Sequence, residues 1–267
     1  MLAPARLPEA FEAWNLRHGA PFGRRPTPGL RAALRAQWLR LRPERERERW
    51  RGPFQYQANN TTRAFEYPWA FHAAAVRPGI DALEIGGGLS GFQFALAGAG
   101  CRVTNVDPGM EGETFSFRCD ESSIARLNAL YGTDVRLRNT TLDRAGLPDA
   151  AFDVAFSISV LEHVDEPALE TALREAYRVL RPGGRLVMTV DLFLNAQPFA
   201  DAPGSRFGTN IDLRRLVGYA PFALELGDPA QLHGFPEFRP GRILSDLERY
   251  FVGRYPTLVQ CLVLRKA

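Results

Sequence analysis

Lysine and cysteine are scarce in this chain, and long apolar runs are missing. The 267 residues include a single lysine, Lys266, and three cysteines, Cys101, Cys119 and Cys261, without any CxxC pair. This pattern argues against a disulfide framework or a zinc site. No apolar run approaches the ~20 residues that span a membrane, and residues 1–14 lack the apolar stretch of a signal peptide. We therefore expect a reducing, cytoplasmic setting without membrane attachment.

A strong charge of one sign is also missing. Arginine and lysine number 33 and the acidic residues 30, which gives a net charge of +3 with the basic residues scattered along the chain. This balance argues against a nucleic-acid partner. The composition is 45% apolar and 24% charged, which is ordinary for a globular protein. The length fits one large α/β domain, or a core domain with an added cap.

Residues 1–78 differ in composition from the rest of the chain, because they are rich in arginine, proline and aromatic residues. The stretch Ala32–Arg51 predicts one helix, with its alternating Glu and Arg residues on a solvated face. The stretch Phe54–Trp69 is unusually aromatic for a linker. Either it packs on the core or it lines a site, since aromatic side chains bury large areas in both cases. We predict that residues 1–78 form a cap that contributes to substrate binding.

From residue 79 onward, apolar strands alternate with amphipathic helices. This alternation predicts a doubly wound, mostly parallel sheet with helices on both faces, in one domain over residues 79–267. Residues 192–240 depart from this alternation, because proline, glycine and phenylalanine are frequent there. We predict that they form a variable region that binds the acceptor substrate. The predicted strands are Asp81–Ile85, Cys101–Val106, Val135–Arg138, Phe152–Ile158, Arg185–Val190 and Leu258–Leu264. The predicted helices are Phe92–Ala99, Ser122–Tyr131, Glu166–Leu180 and Ile243–Tyr250.

Glycines follow the first of these strands at once, over Gly86–Gly88. Doubly wound sheets bind ligands at the carboxyl ends of their strands, and Asp107 ends the second strand, where a carboxylate can accept hydrogen bonds from two ribose hydroxyls. Since Gly86, Gly88 and Gly91 complete a literal GxGxxG, a nicotinamide or flavin site is a fair alternative. Glu84 favours another ligand, because a carboxylate beside a pyrophosphate is awkward and suits a cationic ligand end.

Four segments in this order resemble a known family. They are ALEIGGGLSG (82–91), VTNVD (103–107), LPDAAFDVAFSISVLEHV (147–164) and LREAYRVLRPGGRLVMTVD (173–191). Together they resemble the class I S-adenosylmethionine-dependent methyltransferases of the small-molecule type. The resemblance covers about residues 79–191. It implies a Rossmann-like, seven-stranded sheet, S-adenosyl-L-methionine as cofactor and S-adenosyl-L-homocysteine as product.

The same resemblance implies a cofactor site. In such enzymes the glycine loop holds the methionine part, the acid after the second strand holds the ribose, and the segment before the fourth strand caps the adenine. Many members carry an acidic residue at the position of Thr141, and its absence leaves the adenine to the backbone near Thr141 and Leu142, or to Asp143. The predicted cofactor-binding residues are Glu84, Gly86, Gly87, Gly88, Asp107, Thr141, Leu142 and Ser157.

A hydroxyl acceptor must lose its proton during methyl transfer, and histidine is the usual base near neutral pH. His163 follows the fourth strand and Asp191 ends the fifth. In several similar sugar and natural-product O-methyltransferases, a His and an Asp at these strand ends act together, so we expect His163 and Asp191 to be catalytic. The alternative is a capping or packing role for His163. Some quinone-biosynthesis relatives bind a metal through a Glu where this chain has Ser159, so we predict no metal.

The acceptor contacts are expected to come from the variable segments. An aromatic lining suits a medium-sized, partly apolar small molecule, and family analogy indicates a sugar or a secondary metabolite. A homodimer is compatible with the sequence. Two alternatives stay open, a catalytically silent methyltransferase-like partner domain and an NAD-dependent oxidoreductase. The candidate residues are Tyr56, Arg63, Tyr67, Trp69 and Phe193, together with Phe199, Phe207 and Phe235.

Overall fold

The computed structural model describes residues 1–25, 37–109, 118–194, 208–254 and 256–267. A seven-stranded sheet runs through its centre, in the order β3-β2-β1-β4-β5-β7-β6. The first five strands in the chain are parallel to one another, whereas β7 is antiparallel to both β5 and β6. The strands are β1 (Asp81–Ile85), β2 (Arg102–Val106), β3 (Arg136–Arg138), β4 (Phe152–Ile158), β5 (Leu180–Phe193), β6 (Phe222–Leu226) and β7 (Thr257–Lys266).

Helices flank this sheet, and short 3₁₀ turns link several of the elements. The α-helices are α1 (Glu9–His18), α2 (Glu44–Arg51), α3 (Arg63–Ala73), α4 (Gly91–Gly98), α5 (Glu121–Tyr131), α6 (Glu166–Val179), α7 (Leu213–Val217) and α8 (Pro240–Ser245). The 3₁₀ turns cover Pro53–Gln55, Leu142–Arg144, Leu161–His163, Pro229–Gln231 and Leu247–Arg249.

The strand order reverses between β1 and β4. From β1 the chain winds outward through β2 to β3, and it then returns to β4 and continues to β5. The carboxyl ends of these five strands therefore meet at one edge, with the switch point between β1 and β4, where doubly wound sheets bind their ligands. The prediction of a Rossmann-like, mostly parallel, seven-stranded sheet is confirmed.

Most predicted boundaries agree with the structure to within one residue, and the exceptions have local causes. The single helix over Ala32–Arg51 is wrong, because Pro43 stands in an extended conformation (ψ 149°) immediately before α2. Residues 37–40 are helical, and residues 32–36 lie outside the described part. The predicted helix Ile243–Tyr250 is replaced by α8 and a 3₁₀ turn. Helices α1, α3 and α7 and strand β6 were not predicted, and β5 extends beyond the predicted strand Arg185–Val190 at both ends.

The N-terminal segment shares its hydrophobic core with the sheet. One buried cluster contains Trp14 of α1, Phe54 of the 3₁₀ turn Pro53–Gln55, Phe65 of α3 and Phe92 of α4. The ring of Phe54 lies so close to α4 that a Cβ atom on Gly91 would stand 2.4 Å from its Cγ. The backbone reinforces this packing, since the N–H of Ala3 donates to the carbonyl of Val259 in β7 (3.0 Å).

Candidate functional site

The turn after β1 needs glycine for two separate reasons. Gly86 and Gly88 have φ values of +67° and +55°, a left-handed region that disfavours side chains. Space is also lacking, because a Cβ on Gly86 would stand 2.4 Å from Cγ1 of Val160. A Cβ on Gly87 would stand 2.7 Å from the carboxyl carbon of Glu84. The turn therefore lies directly on the chain that follows β4.

Side chains from the end of β2 fix the glycine turn. The N–H of Gly88 donates to Oδ2 of Asp107 (2.7 Å), and the N–H of Gly109 donates to its Oδ1 (2.8 Å). The N–H of Gly87 donates to Oδ1 of Asn105 (3.3 Å). A carboxylate has about four acceptor positions, so Asp107 keeps capacity for hydroxyl donors from a ligand.

Glu84 lies buried beneath this turn with only one of its oxygens satisfied. Its Oε1 accepts a hydrogen bond from the hydroxyl of Ser90 (2.6 Å), while its Oε2 has no partner within the described residues. Burial, reinforced by the charge of Asp107, raises the pKa of Glu84 to about 8 against the hydrogen bond from Ser90. An ammonium group on a ligand would supply the missing donor and favour the ionised carboxylate.

Two more buried polar atoms are unsatisfied at this edge. The hydroxyl of Ser157, near the end of β4, has no partner within the described residues, and neither has Oε1 of Gln57. That oxygen faces Gly88, since a Cβ there would stand 3.3 Å from it. Buried polar atoms are almost always hydrogen-bonded, so these two unsatisfied oxygen atoms are consistent with a polar ligand that binds there. No sequence signal indicates Gln57, because it lies in the N-terminal segment, outside the segments that resemble the family.

The segment between β3 and β4 carries the two predicted adenine contacts. Thr141 is exposed and directly precedes the 3₁₀ turn Leu142–Arg144, whereas Leu142 is buried in the core. A hydrogen bond from the side chain of Thr141 lowers the pKa of Asp143. Thr141 and Leu142 thus follow β3 at the same sheet edge as the glycine turn.

His163 ends the 3₁₀ turn after β4, and its side chain is exposed. Partial loss of hydration, together with the positive charge of Arg63, lowers the pKa of its imidazole, so the neutral ring is favoured near pH 7. Within the described residues no hydrogen bond joins it to Asp191. The structure therefore brings the two residues to the same edge of the sheet without pairing them.

Asp191 instead belongs to a buried group of polar side chains, here called the carboxyl cluster and formed by Arg63, Glu66, Ser159, Glu162 and Asp191. The hydroxyl of Ser159 donates to Oε1 of Glu66 (2.5 Å) and lies 3.4 Å from Oδ1 of Asp191. Nη1 of Arg63 contacts Oε2 of Glu66 at 2.5 Å. The backbone N–H of Asp191 donates to Oε1 of Glu162 (3.1 Å).

Two members of the carboxyl cluster favour their protonated forms. Burial, reinforced by the charge of Glu66, raises the pKa of Asp191 to about 7, against the opposing effects of Arg63 and Ser159. Burial, reinforced by the charge of Asp191, raises the pKa of Glu162 well above its usual value. Carboxyl groups tuned to neutral pH are typical of sites that move protons or bind cations.

The aromatic stretch Phe54–Trp69 packs on the core, which is one of the two alternatives that the sequence left open. Tyr56, Tyr67 and Trp69 are all at most 5% exposed. The hydroxyl of Tyr67 donates to Oδ1 of Asn59 (3.0 Å), and its ring stacks on Phe92. These tyrosine and tryptophan side chains are thus in the hydrophobic core. Of the predicted acceptor contacts in this segment, Arg63 belongs to the carboxyl cluster and Tyr67 interacts with it.

The remaining acceptor candidates lie near the end of β5 and beyond it. Phe193 is buried, and its ring would stand 2.9 Å from a Cβ on Gly208. Phe235 packs on the core beneath α6. Phe199 and Phe207 lie outside the described residues.

Sequence reasoning missed Glu66, Ser159 and Glu162 as site residues. A signal existed for Glu66, because a glutamate within the run FEYPW is surrounded by residues that pack in cores, and a buried carboxylate needs partners. No sequence signal shows the conformation of Ser159, whose φ of +45° is rare for a residue with a side chain.

Two searches of the described ranges gave negative results. None of their helices is long and apolar enough to cross a membrane. They also contain no group of three or more His, Cys, Asp or Glu side chains arranged to hold a metal ion.

Comparisons with known proteins point to one family. Residues 83–188 match the model of a family described as a methyltransferase domain. A probable S-adenosylmethionine-dependent methyltransferase of Mycolicibacterium smegmatis is 30% identical over 151 residues, which are 55% of this chain and 53% of that protein. A ubiquinone biosynthesis O-methyltransferase of Hahella chejuensis is 32% identical over 114 residues, 42% of this chain and 43% of that protein. The chain thus spans about half the length of these curated relatives.

The fold is shared with solved structures. An S-adenosylmethionine-dependent methyltransferase from Mesorhizobium loti superposes with a TM-score of 0.50 at 19% sequence identity, over 75% of this chain and 97% of that one. At this level of identity the similarity establishes the fold alone.

Proposed function

We propose that this chain, whose residues 83–188 match a methyltransferase domain, is an S-adenosylmethionine-dependent methyltransferase that methylates a small-molecule acceptor, at an oxygen atom of a sugar or a secondary metabolite. The observation that carries this proposal is the glycine turn after β1, which is hydrogen-bonded to Asp107 and lies over the unsatisfied carboxyl oxygen of Glu84. A cationic amino group suits that oxygen, whereas a pyrophosphate would be repelled by it. This difference favours the methyl donor over NAD.

The proposed cofactor contacts follow the sheet edge. Glu84 would hold the amino group of the methionine part beside the turn Gly86, Gly87 and Gly88, and Asp107 would accept hydrogen bonds from the ribose. The bound cofactor supplies a methyl group that its sulfonium has already activated. We assign the adenine end to the chain near Thr141 and Leu142, and the hydroxyl of Ser157 supplies one further polar contact.

The chain's own contribution to catalysis would be alignment, exclusion of water and removal of a proton. Aligned reactants react much faster than free ones, and the variable segments, 1–78 and 192–240, would form the acceptor side. His163 can accept the proton of the acceptor hydroxyl because its neutral form is favoured. Asp191 would lie on the same rim and stabilise the resulting positive charge. O-methylation is supported by the named activity of the Hahella chejuensis relative.

Calorimetric titration tests the cofactor first. We expect S-adenosylmethionine and S-adenosylhomocysteine to bind and NAD not to bind. Asp107→Ala should weaken both ligands, whereas Asp149→Ala, at an exposed site outside the turn, should weaken neither. Binding of NAD alone would overturn the proposal in favour of an oxidoreductase.

Activity is tested by incubating the protein with methyl-labelled cofactor and a panel of sugars, phenols and amines. Labelled product is expected from a hydroxyl acceptor, and His163→Ala should abolish most of that turnover. Cofactor binding without product from any acceptor would favour the silent-domain alternative. Product from amines alone would contradict O-methylation while leaving the cofactor assignment intact.

A further inference from the structure

The carboxyl cluster joins the N-terminal segment to the edge where the methyl donor is proposed to bind. Ser159 connects the two, because its hydroxyl contacts Glu66 of α3, while the next residue, Val160, packs against Gly86 of the glycine turn. The N–H of Ser159 also donates to the carbonyl of Thr189 in β5 (2.9 Å). The carboxyl cluster and the glycine turn are thus linked by two consecutive residues, because Ser159 belongs to the cluster and Val160 contacts the turn.

Within this cluster Glu66 has more donors, at shorter distances, than Asp191 has. Oε1 of Glu66 accepts hydrogen bonds from the hydroxyls of Ser159 (2.5 Å) and Thr189 (2.7 Å), and its Oε2 contacts Arg63. A hydroxyl has one proton to donate. Because the hydroxyl of Ser159 lies 3.4 Å from Oδ1 of Asp191 and only 2.5 Å from Glu66, its hydrogen bond to Asp191 is the weaker one. The charge of Asp191 is therefore less well compensated than that of a fully hydrogen-bonded carboxylate, and burial raises its proton affinity.

Backbone strain indicates that the arrangement is specific. Ser159 adopts a φ of +45°, and such a conformation in a residue other than glycine is strained and tends to occur at functional sites. Glu162 provides a second sign, because its Oε2 is buried without a partner within the described residues. A positive charge near the ends of β4 and β5 would compensate both carboxyl groups.

We propose that Glu66 is a positioning residue that sets the protonation of Asp191, and that the ionised Asp191 then favours the cationic S-adenosylmethionine over its neutral product. This inference rests on the proposed function, because it places the sulfonium at the glycine turn. Strands β1, β4 and β5 are neighbours, and a strand spacing of about 4.8 Å puts Asp191 roughly 10 Å from the turn. A charge at that distance in protein surroundings changes a cation's affinity about tenfold.

Several charged or titratable groups surround Asp191 and must be considered in its pH dependence. Glu66 and Arg63 face it from α3, Glu162 from the turn after β4, and Cys261 from β7. Tyr67 and His163 influence Asp191 only indirectly, since both interact with Arg63. Glu66 and Arg63 have the opposing direct effects, and the cluster therefore provides variants that should shift Asp191 in opposite directions.

The test is the ratio of two dissociation constants, that of S-adenosylhomocysteine divided by that of S-adenosylmethionine, measured by calorimetry from pH 5.5 to 8.5. The two ligands differ only in the methylsulfonium, so the ratio reports the groups whose charge acts on the sulfonium. Glu84 is one of them, because it lies beneath the glycine turn and its pKa is raised to about 8, and the contribution of Asp191 is therefore the part of the pH dependence that Asp191→Asn removes. For the unaltered protein we expect this part to be a rise of about tenfold in the ratio, with a midpoint near pH 7 that follows the pKa of Asp191.

Glu66→Gln should move that midpoint about one unit lower, because it removes a negative charge that raises the proton affinity of Asp191. Glu162→Gln is the matched control, since it makes the same change in an equally buried residue. Because the pKa of Glu162 is raised well above its usual value, its carboxyl group carries less charge to act on Asp191, and this variant should move the midpoint much less. Arg63→Gln provides a second test, with a shift in the opposite direction, should Glu66→Gln fail to fold.

Three results would overturn the inference while the proposed function stands. They are a ratio that does not change with pH in the unaltered protein, a pH dependence that Asp191→Asn leaves unchanged, and midpoints in both Glu66→Gln and Arg63→Gln that equal the original. Failure of both ligands to bind at every pH would instead refute the proposed function.

Discussion

The glycine turn and the carboxyl cluster lie side by side, yet they are built in different ways. The turn is made from consecutive residues, and the groups that hold it, Asn105 and Asp107, come from the next strand. The carboxyl cluster collects side chains from α3, from the chain after β4 and from β5, and Glu66 contacts a residue 123 positions away. A local site of the first kind leaves a sequence pattern, whereas a site of the second kind depends on tertiary packing.

The difference is sharpest at Phe54, because the packing of the N-terminal segment is what brings α3 to the cluster. Phe54→Ala removes a fully buried ring from the contact with α4, and we expect a loss of about 3–5 kcal/mol in the free energy of unfolding. Urea denaturation measures it. Phe22→Ala, at a ring that is 39% exposed, is the control and should change stability by at most about 0.5 kcal/mol. Equal losses in both variants would show that the N-terminal segment does not share the core.

This contrast explains what the sequence could predict. Strands β1 and β4 were predicted to the residue, because apolar runs bounded by glycine or by a turn have few other interpretations. Asp107 could be proposed from the sequence because it follows a strand in a known pattern. Glu66 was missed because its partners, Ser159 and Thr189, come together only in the folded chain, and no local rule relates α3 to β5. Pro43 interrupts the helix predicted over Ala32–Arg51. The alternating charges favoured a continuous helix, but proline lacks the backbone N–H that a helix interior needs.

Gly86 gives the corresponding test of the local site. Gly86→Ala adds a Cβ that would stand 2.4 Å from Val160, at a φ of +67°, so the turn must shift at a cost of about 2 kcal/mol or more. We expect cofactor affinity to fall by roughly 30-fold or more, with a smaller loss of stability. Gly98→Ala in α4 is the matched control, because nothing lies within 4 Å of its added methyl group. If calorimetry shows unchanged affinity for Gly86→Ala, the turn does not contact the cofactor.

Glu84 belongs to the glycine turn, which is the local site, but like Asp191 of the carboxyl cluster it is a buried carboxyl group with a raised pKa. It therefore tests the comparison through the smallest expected effect. Its pKa is raised to about 8 in the folded protein, above the ordinary value of about 4.3 in an unfolded chain. Between these values the folded state binds one more proton than the unfolded state, so unfolding free energy falls as pH rises, by about 1.4 kcal/mol per unit. Glu84→Gln removes this proton, and the slope measured by urea denaturation from about pH 5 to 8 should become shallower by that amount.

Asp191 and Glu162 contribute slopes of the same sign, because their pKa values are also raised, so the Glu84→Gln protein should keep part of the original pH dependence. Glu170→Gln, in a side chain that is 44% exposed, should leave the slope unchanged. The cofactor adds a further distinction. An ammonium group bound to Glu84 would favour its ionised form, so saturating S-adenosylhomocysteine should flatten the slope of the unaltered protein and have little effect on that of Glu84→Gln. An equal effect of the ligand on both proteins would mean that the amino group is held elsewhere.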